Sequence, residues 1–287
     1  MRLRDVTLVL ALAAPLAAGR AASAGDTPDE VKEAIAYFDK YAGKAKEATK
    51  YAELVHDLAS TQAAAAAERI GQILVKEKDP EHHLIAVDAL SEFMKDKEGR
   101  EAAGKILVKA LDGGFDEDIQ IAIVDSLGKI TYAPGTLPIC DILVKSDSPW
   151  LMLRCVRALG LIKDLHALPA LLEILERFPV GYKWPAGEAV TYDSGAAGDA
   201  DQKEAEKQYN DKNKNQRRKG KPPVMFKAYI QELKKTVQAI TGDSTIDGGQ
   251  ALRAWMVAHA DELKKLGIEI PKYKGPPLPK DDEKKDK

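Results

Sequence analysis

Five histidines, two cysteines and one acidic loop are the residues of this chain whose types could do chemistry, and their spacing argues against most of it. His56, His82, His83, His166 and His259 are scattered. None stands in an HExxH pair or at a zinc-like interval from cysteine or carboxylate, which a metal centre built on a helix face requires. His259 falls on an apolar stripe, where a histidine is more often a satisfied core residue than a ligand. Cys140 and Cys155 form neither CxxC nor CxxCH. They are two buried thiols or one disulfide closing a short loop, and spacing leaves both open. No GxSxG or SxxK places a nucleophilic serine, and no glycine-rich phosphate loop is present, so the expectation is no catalytic constellation and no cofactor. Asp193, Asp199 and Asp201 share a glycine-containing loop. They could offer calcium its oxygen ligands, but their spacing does not match the EF-hand loop and Asp199 also serves as a helix cap.

The most suggestive chemistry is a set of cations at equivalent places. "QILVKE", "KILVKA" and "DILVKS" begin at residues 72, 105 and 141, and "ILER" follows at 174. Ile73, Ile106, Ile142 and Ile174 are thus spaced by 33, 36 and 32 residues, which brings Lys76, Lys109, Lys145 and Arg177 into register. If the segments stack as helices, these side chains form a row about 10 Å apart. Such a basic ladder would suit an acidic protein segment or an anionic envelope polymer. A plainer explanation competes with it. Each cation lies near a helix C-terminus, and Asp141 with Lys145 and Glu173 with Arg177 make ordinary i, i+4 pairs. Like charges at that separation repel by only about 0.4 kcal/mol in water, so the row is cheap to tolerate.

The elements that position these residues are helix pairs. A second echo, "HDLAS", "DALSEF", "DSLGKI" and "RALGLI", precedes the first, so each unit holds two apolar-striped segments joined by a short break. Leu127 with Ile130 and Leu159 with Ile162 keep the helical step of three. Thr27-Pro28, Asp79-Pro80 and Ser148-Pro149 each place a capping residue before a proline at the first helical position. No stretch of the repeat region alternates as a strand does. Each pair is too small to bury its own apolar face, and stacking completes it. "ILVK" then reads as the inner seam of the second helix in every pair.

At this point "LRCVRALGLIKDLHALPALLEIL", residues 153–175, resembles a HEAT-like repeat, with its Arg-x-x-x-Ala-Leu-Gly first helix and Leu-Pro opening of the second. Residues 119–144 follow the same pattern, and the resemblance covers residues 44–178. It implies an all-α, right-handed α-solenoid whose surface holds another protein without catalysis. HEAT-like chains that assist a lyase by cradling its substrate protein give an alternative, and a calcium-stabilised structural module of the cell envelope gives another.

The remainder of the chain divides by composition. Arg2, Arg4, the apolar run Val6–Ala18 and the small residues Ala22-Ser23-Ala24 resemble a secretory signal peptide over residues 1–24. Cleavage before Gly25 would remove three arginines and one aspartate, moving the formal charge from −2 to −4. The expected product is an exported, periplasmic or extracellular chain with no membrane span left, and its charge gives no reason to expect nucleic acid. Repeats occupy residues 25–178. Residues 179–223 break the period with an expected short hairpin, a polar helix and the basic run "KNKNQRRKGKPP", which reads as a solvated segment. An expected terminal helix pair fills residues 224–268. One helix carries Phe226, Ile230, Leu233, Val237 and Ile240, the next Leu252, Trp255, Met256, His259 and Leu263. "ITGDSTIDGGQALRAWMVAH" looks like the final pair of exported bacterial HEAT-repeat proteins. Residues 269–287 are proline and charge, an expected disordered tail.

Overall fold

The computed structural model describes residues 28–45, 47–146, 148–177 and 224–273. The expected signal peptide, the irregular insert with its aspartates and hairpin, and most of the tail lie outside the described residues. Within them the fold is all-α, with twelve α-helices and no strand. In chain order these are α1 (Asp29–Tyr41), α2 (Ala48–Ser60), α3 (Ala64–Lys76), α4 (Pro80–Leu90), α5 (Lys97–Leu111), α6 (Glu117–Lys129), α7 (Thr136–Lys145), α8 (Pro149–Ile162) and α9 (Leu168–Arg177). After the insert come α10 (Val224–Thr241), α11 (Gly249–Ala258) and α12 (Ala260–Lys265).

Local chemistry explains most boundaries. Asp79 accepts a hydrogen bond from the Glu81 amide at 3.0 Å and Ser148 from the Leu151 amide at 3.3 Å, each before a proline at the first helical position. Those prolines lose nothing, because the first amides of a helix have no partner within it. At the third expected cap the structure differs: Pro28 is itself the cap and α1 starts at Asp29. The helix expected to carry Trp255 through Leu263 also breaks. His259 adopts φ −108° and ψ 21°, ending α11 and opening α12. Its imidazole Nδ1 lies 2.8 Å from the Trp255 carbonyl, four residues back, and its ring stacks on the Trp255 indole at 4.0 Å.

The helices pack in two ranks. α2, α4, α6, α8 and α10 each contact the next member of one rank. In the other rank α3 packs on α5, α7 on α9, and α9 on α11. Small residues sit where helices of a rank come closest. A Cβ on Gly71 would lie 2.9 Å from the Ile106 side chain, and one on Gly128 only 2.8 Å from the Ala158 backbone. The core runs unbroken through both ranks, with Leu58, Ile70, Leu90, Leu107, Leu127, Leu143 and Leu159 all buried.

Burial corrects the expected "ILVK" seam. Ile73, Leu107 and Leu143 are buried, but Val75 is 78% exposed and Ile142 only half-buried. A helix of this length buries one stripe, so adjacent residues cannot all face inward. On α10 the core includes Leu233 and Val237, as expected, and also Tyr229 and Thr236, whose polar type hid them from an apolar count. Thr236 is accommodated by donating its hydroxyl to the Val156 carbonyl at 3.0 Å, across the contact with α8.

Candidate binding surface

The four expected ladder positions all fall at C-terminal ends of helices of one rank. Lys76 closes α3 and donates to Gln72 Oε1 at 2.8 Å. Lys109 is exposed in the last turn of α5. Lys145 closes α7 and pairs with Asp141 at 3.3 Å. Arg177 is the last residue of α9, and its side chain lies outside the described residues. Thus the expected i, i+4 pair is present at Asp141–Lys145. The rank is not uniformly closed, however, because α5 and α7 share no extensive contact.

That gap has a residue-level cause. On α3 the socket at Gly71 is covered by Ile106 of α5. By repeat register Gly104 is the next socket and Ile142 of α7 the residue to cover it. The ring of Tyr132 occupies the place instead, lying against Gly104. The interval between Ile106 and Ile142 is three residues longer than the one before it. The added length lies before the turn between α6 and α7, whose residues 130–135 match in number the turn 91–96 between α4 and α5; in it Thr131 takes the left-handed φ of 51° and the Tyr132 amide donates to the Leu127 carbonyl at 3.1 Å. The Tyr132 hydroxyl then donates to Glu101 Oε1 on α5 at 3.2 Å.

One face of α7 is left without a helix against it. Leu137, Pro138, Asp141, Ile142 and Lys145, at helical spacing, line a groove of about 760 Å³ whose other walls include Leu111 and Asp112 of the α5 end and Leu151 of α8. Leu137 is 61% exposed, high for a leucine on a repeat helix. Among the lining residues there are two carboxylates and one ammonium, and Asp116, Glu117 and Asp118 are exposed where α6 begins. These last three are also explained by the helix dipole, which favours acids in the first turn. Lys145 itself lines the groove, so there the basic row meets two carboxylates, Asp112 and Asp141.

Outside the groove several titratable groups are engaged in structure. The Tyr51 hydroxyl donates to Glu77 Oε1 at 2.7 Å, its ring stacks on His82 at 3.8 Å, and burial pushes its phenol well above the ordinary range. His56 lies 2.9 Å from Glu92, His83 2.9 Å from the Glu77 carbonyl and His166 2.7 Å from Asp164. Among the described residues no three His, Cys, Asp or Glu side chains converge in a metal-holding group. Cys140 and Cys155 are free and buried; burial pushes the Cys140 thiol up to about 12 and that of Cys155 further. Neither is therefore a thiolate near neutrality.

A serine–lysine contact escaped the sequence, because its partners are 38 residues apart. Lys129 Nζ donates to Ser91 Oγ at 2.8 Å beside a cleft of about 240 Å³ shared with Asp125 and Ser126. The Ser91 hydroxyl donates to the Asp88 carbonyl at 2.6 Å, so its proton points away from the lysine. This geometry fastens α4 to α6 and does not activate a nucleophile, which would need the serine to donate to the base.

Comparison of the chain with protein-family models and with curated proteins gives no match. Among the described residues no helix is long and apolar enough to cross a membrane.

Proposed function

We propose that this chain is an exported, HEAT-like α-solenoid that acts as a non-catalytic scaffold and holds another protein on its repeat surface. The observation that carries the reading is the two-rank packing in sequence order. Helices two apart in the chain meet repeatedly, as stacking of helix pairs requires. Terminal helices α10 and α11 extend both ranks by packing on α8 and α9. The repeat register of Leu107 and Leu143 agrees, since equivalent residues are buried in successive units. Elongated stacks of this kind offer more surface per residue than a compact domain does, which suits them to hold macromolecules.

The ladder of Lys76, Lys109, Lys145 and Arg177 is the first surface to test. Chain from Gly25 onward would serve as bait in a native envelope extract beside a variant with all four changed to Glu, after circular dichroism shows that both fold. Retention of a protein by the first and its loss from the second supports a scaffold that binds through the ladder. Retention by both moves binding elsewhere on the repeats, and retention by neither counts against the scaffold reading. An intact-mass measurement on chain recovered from the exporting cell tests the secretion step, with cleavage before Gly25 the expected result.

A further inference from the structure

We propose that the groove between α5 and α7 docks a short basic peptide segment of a partner protein, with an apolar side chain seated on Leu137 and Ile142 and flanking Lys or Arg residues held by Asp112 and Asp141. This rests on the scaffold reading and narrows it to one site and one peptide chemistry.

Three observations converge on the groove. The first is that it is built rather than incidental. Tyr132 fills the Gly104 socket and hydrogen-bonds Glu101, which holds α7 away from α5 where the preceding helices of the same rank close. The second is its floor. Leu111, Leu137, Pro138, Ile142 and Leu151 supply an apolar strip, and Leu137 stands 61% exposed with no helix to cover it. With a volume of about 760 Å³ and a side open to solvent, the groove has room for a short segment laid along the surface. The third is charge. Asp112 and Asp141 line the groove against a single cation, Lys145, which pairs with Asp141, so the lining keeps an excess of one negative charge, centred on Asp112. An acidic peptide would meet like charge here, whereas a basic one is drawn in. An apolar anchor with charged flanks gives affinity and orientation from different groups, the usual division in peptide recognition. The groove therefore selects the opposite charge from the one the lysine ladder would select, and the two share only Lys145.

The test uses the whole chain and two fluorescein-labelled short peptides of alternating residues, leucine with lysine and leucine with glutamate, followed by fluorescence anisotropy. The leucine–lysine peptide is expected to bind saturably and the leucine–glutamate peptide not to. Asp112→Asn with Asp141→Asn, or Leu137→Ser alone, should each weaken binding about fivefold, a typical effect for interface contacts of this size. Glu53→Gln with Asp57→Asn makes the same change in net charge on exposed positions of α2 and should leave binding unchanged. All five positions are exposed, so loss of fold is checked simply by an unaltered unfolding midpoint. Equal weakening by both charge-neutral pairs would reduce the effect to net charge and overturn the proposal, as would equal binding of both peptides or none. Sedimentation as a dimer that Leu137→Ser dissolves would give the groove to a second copy and overturn it too. None of these failures bears on Lys76, Lys109 or Arg177, so loss of capture by a variant with those three changed to Glu would leave the scaffold reading standing.

Discussion

Arg253 on α11 grips Glu176 on α9 through two hydrogen bonds, Nε to Oε1 at 2.6 Å and Nη2 to Oε2 at 2.9 Å. Its remaining nitrogen, Nη1, donates to the Pro271 carbonyl at 2.7 Å, and its guanidinium lies 5.5 Å from the Tyr273 ring centroid. One side chain thus joins the last repeat, the terminal helices and the segment that follows them, across an interval of 77 residues. A planar fork suits this task because a carboxylate can accept both of its parallel N–H groups.

The pair is largely shielded, with 21% of the arginine and 10% of the glutamate side chain accessible, so removing one partner leaves the other charge poorly solvated. Arg253→Ala should cost about 3 kcal/mol, and Arg253→Met with Glu176→Leu should recover most of it, because an apolar pair needs no solvation. Urea unfolding of the two variants measures this. A single variant as stable as the native chain would show that the terminal helices are held by α10 alone.

The closest helix approaches predict graded responses to added methyl groups. Gly128→Ala sets a Cβ 2.8 Å from the Ala158 backbone, which cannot rotate away, and should cost about 1–3 kcal/mol. Gly71→Ala meets only the Ile106 side chain and should cost less. Gly43→Ala meets nothing within 4 Å and should cause no loss. Denaturant midpoints falling in any other order would mean that the contact between α6 and α8 is looser than the geometry requires.

Within one repeated motif, position decides the outcome. Leu143→Ala should cost about 2–5 kcal/mol, since the residue is fully buried and its neighbours can collapse only partly. Val75→Ala, at an exposed position in the equivalent motif of α3, should stay within about 0.5 kcal/mol. Comparable losses at both sites would contradict the inward stripe described above.

Two buried phenols set an alkaline limit. Burial, the nearby carboxylate of Glu101 and the hydrogen bond to it push Tyr132 from 10.0 up to about 12, and burial with Glu77 pushes Tyr51 upward as well. In both cases the folded chain keeps a proton that the unfolded chain releases. Their contribution to stability is therefore complete below pH 10 and is lost as pH rises through the raised values. The drop in urea midpoint between about pH 8 and about pH 11 should be smaller for Tyr51→Phe with Tyr132→Phe than for the native chain. Equal drops would show that these phenols do not govern the alkaline limb.

The sequence alone settled the helical class and much of the order of the helices. Capping by Asp79 and Ser148, prolines at first helical positions and the recurrence of Leu107 and Leu143 are local or periodic signals, and helices form from such signals. Periodicity also aligned Gly104 with Gly71 and Ile142 with Ile106, but alignment presumes that every socket is filled in the same way. Only the tertiary structure decided that Tyr132 would take the place of Ile142, because that outcome turns on which of two side chains reaches Gly104 once the turn between α6 and α7 has folded. The groove, its exposed Leu137 and its acidic margin all follow from that competition. The same holds for Arg253 and Glu176 and for Lys129 and Ser91: their partners are far apart in the chain, so no spacing records them, and packing alone brings them within hydrogen-bonding reach.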